Sequence, residues 1–211
     1  PAMSNSDFNL GLVGIVPQMK RLDLAFEILV LLKQRDTRYR LSIKGKRPEE
    51  FSWMLSRVDE MKWYKNIFGK IENSQYCNSV NFEPHGSDMP AWYSQIGFIL
   101  STSDFEGSHQ SIAEAMASGS IPVIRNWEGA DRMYPEKYIF KSLGEAVEKI
   151  LYWKSSPDIY SHESNFCRAY SQEHFDQQKI CDQIEALFGN AFDKQNINSQ
   201  ESVNVLILAY L

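Results

Sequence analysis

Short runs of continuous apolar residues recur along the first 155 residues of the chain, and a helical pattern follows most of them. The run IGFILSTS at 96–103 is typical, because it lacks the alternation of polar and apolar residues that a half-exposed strand shows. Strands buried on both faces of a parallel sheet have this composition, since helices cover both sides. The pattern therefore predicts an α/β fold: a doubly wound parallel sheet with helices on both faces.

Apolar runs and turn signals give the predicted boundaries of the elements. Five strands are predicted, and 138–142 is a candidate for a sixth: 9–16, 39–45, 79–84, 96–103 and 121–127. Seven helices are predicted: 21–36, 47–71, 87–95, 109–119, 143–155, 158–172 and 175–192. We interpret 1–192 as one domain and 193–202 as a polar linker. The run VNVLILAYL at 203–211 is interpreted as the truncated start of a following segment.

The bulk composition argues against several classes of protein. The net charge of −5 and the isoelectric point near 5.4 argue against a nucleic-acid-binding protein, which needs a basic face. Three scattered cysteines without a CxxC spacing argue against a zinc site and favour reduced thiols in the cytoplasm. The sequence contains no run of 18 apolar residues, so no membrane span is expected.

Ligands of doubly wound sheets bind beyond the carboxyl ends of the strands. The loops expected there are 15–20, 45–48, 83–88, 103–109 and 126–130. Loop 103–109 has the strongest signal, because it leaves a buried strand, contains Gly107 and enters a helix near Ser108. Unpaired N–H groups and the helix dipole favour an anion such as a diphosphate at that point.

Two glutamates, Glu106 and Glu114, lie eight positions apart around this helix start. Both could accept hydrogen bonds from sugar hydroxyls, since carboxylates form strong charge-assisted bonds. Alternatively, SIAE at 111–114 matches a capping box with Ser111 as N-cap, which by itself would explain Glu114. Trp127 likewise has two interpretations, as a residue that lines the cleft or as part of the core. The residues alone leave both pairs of alternatives open.

The stretch EGSHQSIAEAMASGSIPVI resembles the E-x7-E block of family 4 of the retaining GT-B glycosyltransferases, also called glycosyl transferases group 1. The segments LVGIVPQMKRLDLAFEIL, YRLSIKGKRP and VNFEPHGSDMPAWYSQIGFILSTSDFEG are similar to further family motifs, in order and at family spacing over roughly 9–190. The resemblance implies a Rossmann-like domain that is the C-terminal, donor-binding half of a GT-B fold. A missing N-terminal GT-B domain would then be its partner.

The resemblance also implies roles for individual residues. Glu106 would bind the donor sugar at the reacting centre as the catalytic residue, Glu114 would accept from the ribose hydroxyls, and Lys20 would bind the diphosphate. Among the substrate-binding residues, those at the helix start would hold the phosphate: Gly107, Ser108, His109 and Gln110. The family has an arginine where this chain has Ile15, and the substrate-binding cations Lys46 and Arg47 after the second strand would partly replace its charge. The family's Phe-Gly is Ser108-His109 here, and His109 could hydrogen-bond sugar or phosphate.

The function implied is transfer of a sugar from a nucleotide-diphospho-sugar to an unknown glycan, lipid or other acceptor, with retention and without a metal or other cofactor. The chain as given is expected to be inactive without its other half. Two alternatives are kept: a non-catalytic nucleotide-binding or structural domain of a larger protein, and a GT-B-like sugar-nucleotide epimerase. The expected location is the cytoplasm, with peripheral attachment of the full-length protein at the inner face of a membrane left open.

Overall fold

A six-stranded sheet organises the fold. The computed structural model of the chain describes residues 5–107 and 109–195. The strands are β1 (Asn9–Val13), β2 (Arg40–Lys44), β3 (Val80–Glu83), β4 (Phe98–Ser101), β5 (Ile121–Arg125) and β6 (Ile139–Phe140). Their order is β3-β2-β1-β4-β5-β6, and every neighbouring pair is parallel. The predicted doubly wound parallel sheet is therefore confirmed, and the strand order reverses between β1 and β4.

Helices cover both faces of this sheet, as the sequence predicts. The α-helices of the described residues are α1 (Leu22–Lys33), α2 (Val58–Glu72), α3 (Met89–Tyr93), α4 (Gln110–Ala117), α5 (Ala130–Met133), α6 (Leu143–Trp153), α7 (Pro157–His174) and α8 (Gln177–Gln195). The chain divides into two compact units, Pro1–Ser171 and Gln172–Leu211. The first contains the sheet and helices α1–α6, and within the described residues the second contains the end of α7 and all of α8.

The middle of the sheet is the most deeply buried part. All four residues of β4 are buried, as are the first four of β5. Phe98 in β4 aligns with Leu10 of β1 and Ile121 of β5, and its ring meets that of Tyr160 from α7 edge to face. Continuous apolar runs are thus found where strands are flanked by strands and covered by helices.

The helix predicted over 47–71 is wrong at its start. Pro48–Glu50 and Ser52–Met54 form separate 3₁₀ turns, and α2 begins only at Val58. Phe51 between the two turns is extended, so the hydrogen bonding stops after one turn, and Met54 becomes fully buried. Tertiary burial overrides the helical pattern here. The sequence also missed the short helix α5 after β5.

The ends of α4 and α8 bear on other predictions. The sequence predicts that Gly119 closes the helix before β5. This is confirmed, because α4 ends at Ala117 and the backbone of Gly119 is left-handed at φ +91°. Helix α8 includes 193–195, the first three residues of the predicted linker, and residues 196–211 with the predicted strand at 203–211 lie outside the described residues. The predicted domain end at residue 192 stays a prediction. No helix in the described ranges is long and apolar enough to cross a membrane.

Candidate ligand site at the carboxyl edge of the sheet

The loops that follow β1 and β4 meet at the point where the strand order reverses. A 3₁₀ turn at Gln18–Lys20 ends in Arg21, whose left-handed backbone (φ 55°) leads into α1. The backbone N–H of Asp104 donates to the carbonyl of Met19 at 2.8 Å, and the Thr102 hydroxyl donates to the carbonyl of Lys20 at 2.8 Å. Because of these bonds, the two loops form one connected surface.

This contact brings two predicted site residues together. The Lys20 ammonium donates to Glu106 Oε1 at 2.7 Å, although the residues are 86 positions apart. The Glu106 side chain is only 8% exposed, whereas that of Lys20 is 25% exposed. The Ser103 hydroxyl donates to the same carboxylate oxygen. The carboxylate is therefore compensated by a cation, which a buried charge requires.

His109, the N-cap of α4, lies beside this pair. Its backbone is left-handed at φ 44°, its ring is 7% exposed, and Nε2 is 3.6 Å from Glu106 Oε1. Ser101 Oγ lies 3.2 Å from Nδ1. Burial lowers the pKa of the imidazole to about 4, although the negative charge of Glu106 acts to raise it. The ring is therefore neutral at pH 7.

We expect the free energy of unfolding to fall by about 3 kcal/mol as the pH is lowered from 6.5 to 4, because of His109 alone. The pKa of His109 is depressed in the folded state, so between these values the unfolded chain takes up a proton that the folded protein resists. The stabilisation from His109 is complete above its pKa in the unfolded chain, near 6.5, and is lost as the pH falls toward 4. Urea unfolding at a series of pH values measures it.

His109→Gln should flatten this part of the pH profile, whereas His162→Gln, at an exposed position on α7, should leave it unchanged. If His109→Gln kept the full slope, groups other than His109 would account for it, and the buried neutral imidazole would be contradicted.

Glu114 has an internal partner that the sequence did not reveal. Because α4 begins at Gln110 with His109 as N-cap, Ser111 lies inside the helix, and the capping-box explanation is wrong. The buried Tyr93 hydroxyl donates instead to Glu114 Oε2 at 2.8 Å. Burial, followed by the neighbouring Glu114 charge, raises the pKa of Tyr93, so the phenol keeps its proton. Glu114 itself is exposed.

The remaining predicted residues vary in their placement. Gln110 is the exposed first residue of α4, and a Cβ added to the exposed Gly107 would meet no described atom within 4 Å. Ser108 lies outside the described residues. Lys46 is exposed and lies 5.8 Å above the Phe51 ring. The Arg47 guanidinium lies 5.1 Å and 4.6 Å from two ring centres, those of Phe68 and Phe82. Arg47 is thus engaged in aromatic packing.

Two charged clusters at this edge were missed in the sequence. Asp104 accepts from Arg21 at 3.1 Å and also from Arg125 at the end of β5. Their hydrogen bonds and charges outweigh desolvation and lower the pKa of Asp104. Lys44, the buried last residue of β2, pairs with Asp88 at 2.8 Å. Arg21 is the first residue of the predicted helix 21–36, whereas Arg125 lies inside the predicted strand 121–127, so the sequence carries no comparable signal for Arg125.

Trp127, for which two interpretations were open, is buried. It is 5% exposed and packs edge to face on His109, and its indole N–H has no hydrogen-bond partner among the described residues. The core interpretation is therefore supported, at a position directly behind the N-cap of α4.

The described side chains form no group of three or more His, Cys, Asp and Glu placed to hold a metal ion. The edge instead offers an ammonium at Lys20, two carboxylates and the start of a helix, where the first N–H groups lack intrahelical acceptors. Such a set can bind a phosphate group and accept hydrogen bonds from hydroxyls.

Comparison with solved structures identifies the architecture. A variant of S. aureus TarM in complex with fondaparinux, alpha-GlcNAc-glycerol and UDP superposes with a TM-score of 0.68 at 19% identity. Anabaena HepE in complex with UDP and glucose superposes with a TM-score of 0.70 at 17% identity. The C-terminal domain of LpcC from Francisella tularensis, a glycosyl transferase group 1 family protein, superposes with a TM-score of 0.66 at 14% identity. The chain has the fold of a GT-B domain.

The matches also show how much of each neighbour this chain covers. The match covers 89% of this chain but 36% of TarM, and 87% of this chain but 48% of HepE. It covers 81% of this chain and 87% of the LpcC domain. The chain thus spans between a third and a half of the two longer neighbours. No protein-family model matches the sequence, and no curated protein matches it significantly.

Proposed function

We propose that this chain is the donor-binding domain of a glycosyltransferase that transfers a hexose from a nucleotide-diphospho-sugar to an acceptor. The observation that carries the proposal is the Lys20–Glu106 pair at the corner where loop 103–109 enters α4. Lys20 supplies the cation for the diphosphate, Glu106 accepts from the sugar, and Glu114 accepts from the ribose. The first N–H groups of α4 add a second anion-binding element.

The proposed chemistry is retaining and independent of metal, as in family 4, which the sequence motifs resemble. The leaving diphosphate is stabilised by the Lys20 charge and by the start of α4. The exposed Lys46 on the neighbouring loop after β2 is available to a longer ligand. HepE, with UDP and glucose bound, has the same fold and supports a nucleotide-sugar as the ligand class.

The acceptor half of the enzyme is proposed to lie in a separate N-terminal GT-B domain. The chain then binds donor but does not transfer it, because the acceptor is not positioned beside the reacting carbon. The acceptor is a glycan, a lipid or another hydroxyl-bearing molecule, and the proposed location is the cytoplasm or the inner face of a membrane.

Calorimetric titration of the chain with UDP, GDP and ADP and with their glucose conjugates tests the proposal. We expect one nucleotide series to bind, and Glu114→Ala to weaken that binding by about tenfold through the lost ribose hydrogen bonds. Glu128→Ala, at an exposed position after β5, should leave it unchanged. Failure of every nucleotide to bind would overturn the proposal.

One observation favours a second candidate, a non-catalytic nucleotide-binding domain. Ile15 stands where the family has an arginine, and it is 2% exposed with its carbonyl accepting from the Tyr64 hydroxyl at 2.6 Å. That phosphate contact is thus replaced by core packing. Nucleotide binding without any preference for the sugar conjugate would support this candidate over the glycosyltransferase.

A further inference from the structure

Among the described residues, every hydrogen bond to the Glu106 carboxylate goes to one of its two oxygens. The Lys20 ammonium and the Ser103 hydroxyl both donate to Oε1, and His109 Nε2 faces the same atom at 3.6 Å. Oε2 accepts no hydrogen bond from the described residues, although the side chain is 8% exposed. A carboxylate has about four lone-pair sites, so two of them stay available on a single atom.

The groups around Oε1 are themselves held in place. Ser103 is buried two residues after the end of β4, and the backbone carbonyl of Lys20 accepts from the Thr102 hydroxyl. The neutral His109 ring is buried between Ser101 and Glu106. The ring places Nδ1 beside the Ser101 hydroxyl and turns Nε2 toward Glu106. These contacts restrict rotation of the carboxylate about its last bond.

Glu114 shows the same asymmetry. Its Oε2 accepts from the Tyr93 hydroxyl at 2.8 Å, and no described residue donates to Oε1. Tyr93 is 3% exposed at the end of α3, where its ring packs edge to face on Trp92, so its hydroxyl is a fixed donor. Each of the two glutamates is thus fixed through one oxygen by a buried donor.

We propose that Ser103, His109 and Tyr93 are positioning residues: Ser103 and Tyr93 donate to one oxygen of each glutamate and the His109 ring packs against that of Glu106, so that Glu106 Oε2 and Glu114 Oε1 accept from the ligand's hydroxyls. The inference rests on the proposed function and deepens it, because it assigns the selectivity for hydroxyl groups to residues that do not touch the ligand. Ser103 and His109 set recognition of the sugar, and Tyr93 sets recognition of the ribose.

Selectivity ratios test this arrangement, because a purely structural role would weaken all ligands equally. The probes are UDP, its 2′,3′-dideoxy analogue and UDP-glucose, with the GDP and ADP counterparts in parallel. Tyr93→Phe should reduce the preference for UDP over the dideoxy analogue by about tenfold. Ser103→Ala and His109→Gln should each reduce the preference for UDP-glucose over UDP by a similar factor, and Ser103→Ala should change the affinity for UDP by less than about twofold.

Tyr160→Phe and Ser120→Ala are matched controls, since each removes a hydroxyl that donates to a backbone carbonyl, from Tyr160 to Gly97 and from Ser120 to Ile96. Both should leave all ratios unchanged, and Ser103→Thr should restore the ratio that Ser103→Ala loses. Far-ultraviolet circular dichroism confirms folding of each variant. Unchanged ratios in folded variants that still bind would overturn this proposal, whereas the absence of any nucleotide binding by the unsubstituted chain would overturn the proposed function.

Discussion

Replacing Lys20 by methionine is expected to weaken the binding of a nucleoside diphosphate by about 100-fold. A charge-assisted hydrogen bond contributes about 1.5–3 kcal/mol, and each 1.4 kcal/mol changes the dissociation constant tenfold. The substitution also leaves the Glu106 carboxylate without the cation 2.7 Å away, and that carboxylate then repels the phosphate. Methionine keeps most of the volume and length of the side chain. Calorimetric titration with UDP, GDP and ADP measures the change.

Lys46→Met is the matched control, because Lys46 carries the same charge on the neighbouring loop but is exposed above Phe51. We expect it to change the affinity by less than about threefold, since an exposed lysine is well solvated. If Lys46→Met weakened binding strongly and Lys20→Met changed it little, the diphosphate would lie at the loop after β2, and the assignment of Lys20 would be wrong.

Replacing Phe98 by alanine is expected to lower the free energy of unfolding by about 3–5 kcal/mol. Phe98 is 0% exposed in β4, the strand beside the reversal of strand order, and its ring packs edge to face on Tyr160. The substitution removes buried apolar surface and leaves a cavity that neighbouring strands cannot fill. The free energy of unfolding of a domain is only about 5–15 kcal/mol in total, so the variant loses a large fraction of its stability. Urea unfolding followed by circular dichroism measures the loss.

Phe105→Ala makes the same chemical change at a site that is 58% exposed, on the loop that follows the same strand. It should change the free energy of unfolding by less than about 0.5 kcal/mol. Phe98→Leu should cost about 1 kcal/mol, because it keeps most of the volume. Equal costs for the two alanine variants would contradict the central position of β4.

The sheet could be predicted because its signal is local. The runs that became β4 and β5 are apolar without alternation, which buried parallel strands require. Topology then places the loops after β1 and β4 at one edge, so the proximity of Lys20 and Glu106 could be predicted from the strand boundaries and the family resemblance. The helix end at Gly119 was equally local, since a left-handed glycine follows α4.

The contacts that could not be predicted join residues far apart in the sequence. Tyr93 meets Glu114 only because α3 and α4 are brought together by the sheet, and no spacing in the sequence encodes that distance. Arg47 packs on Phe68 and Phe82, which lie 21 and 35 positions away, so its side chain could not be assigned from its loop alone. The broken segment before α2 differs from prediction for a related reason, since burial of Met54 overrides local propensity.

The ion pair between Lys20 and Glu106 closes a loop of 86 positions, and this has a consequence during synthesis. The ribosome synthesises Lys20 and all of β1 long before Glu106, so until Glu106 emerges the nascent chain has the cation without its counterion. The entropy of closing so long a loop is overcome only when β4 joins β1 and contributes its buried surface. Acquisition of ligand affinity by ribosome-bound chains of increasing length therefore reports when the fourth strand has joined the sheet.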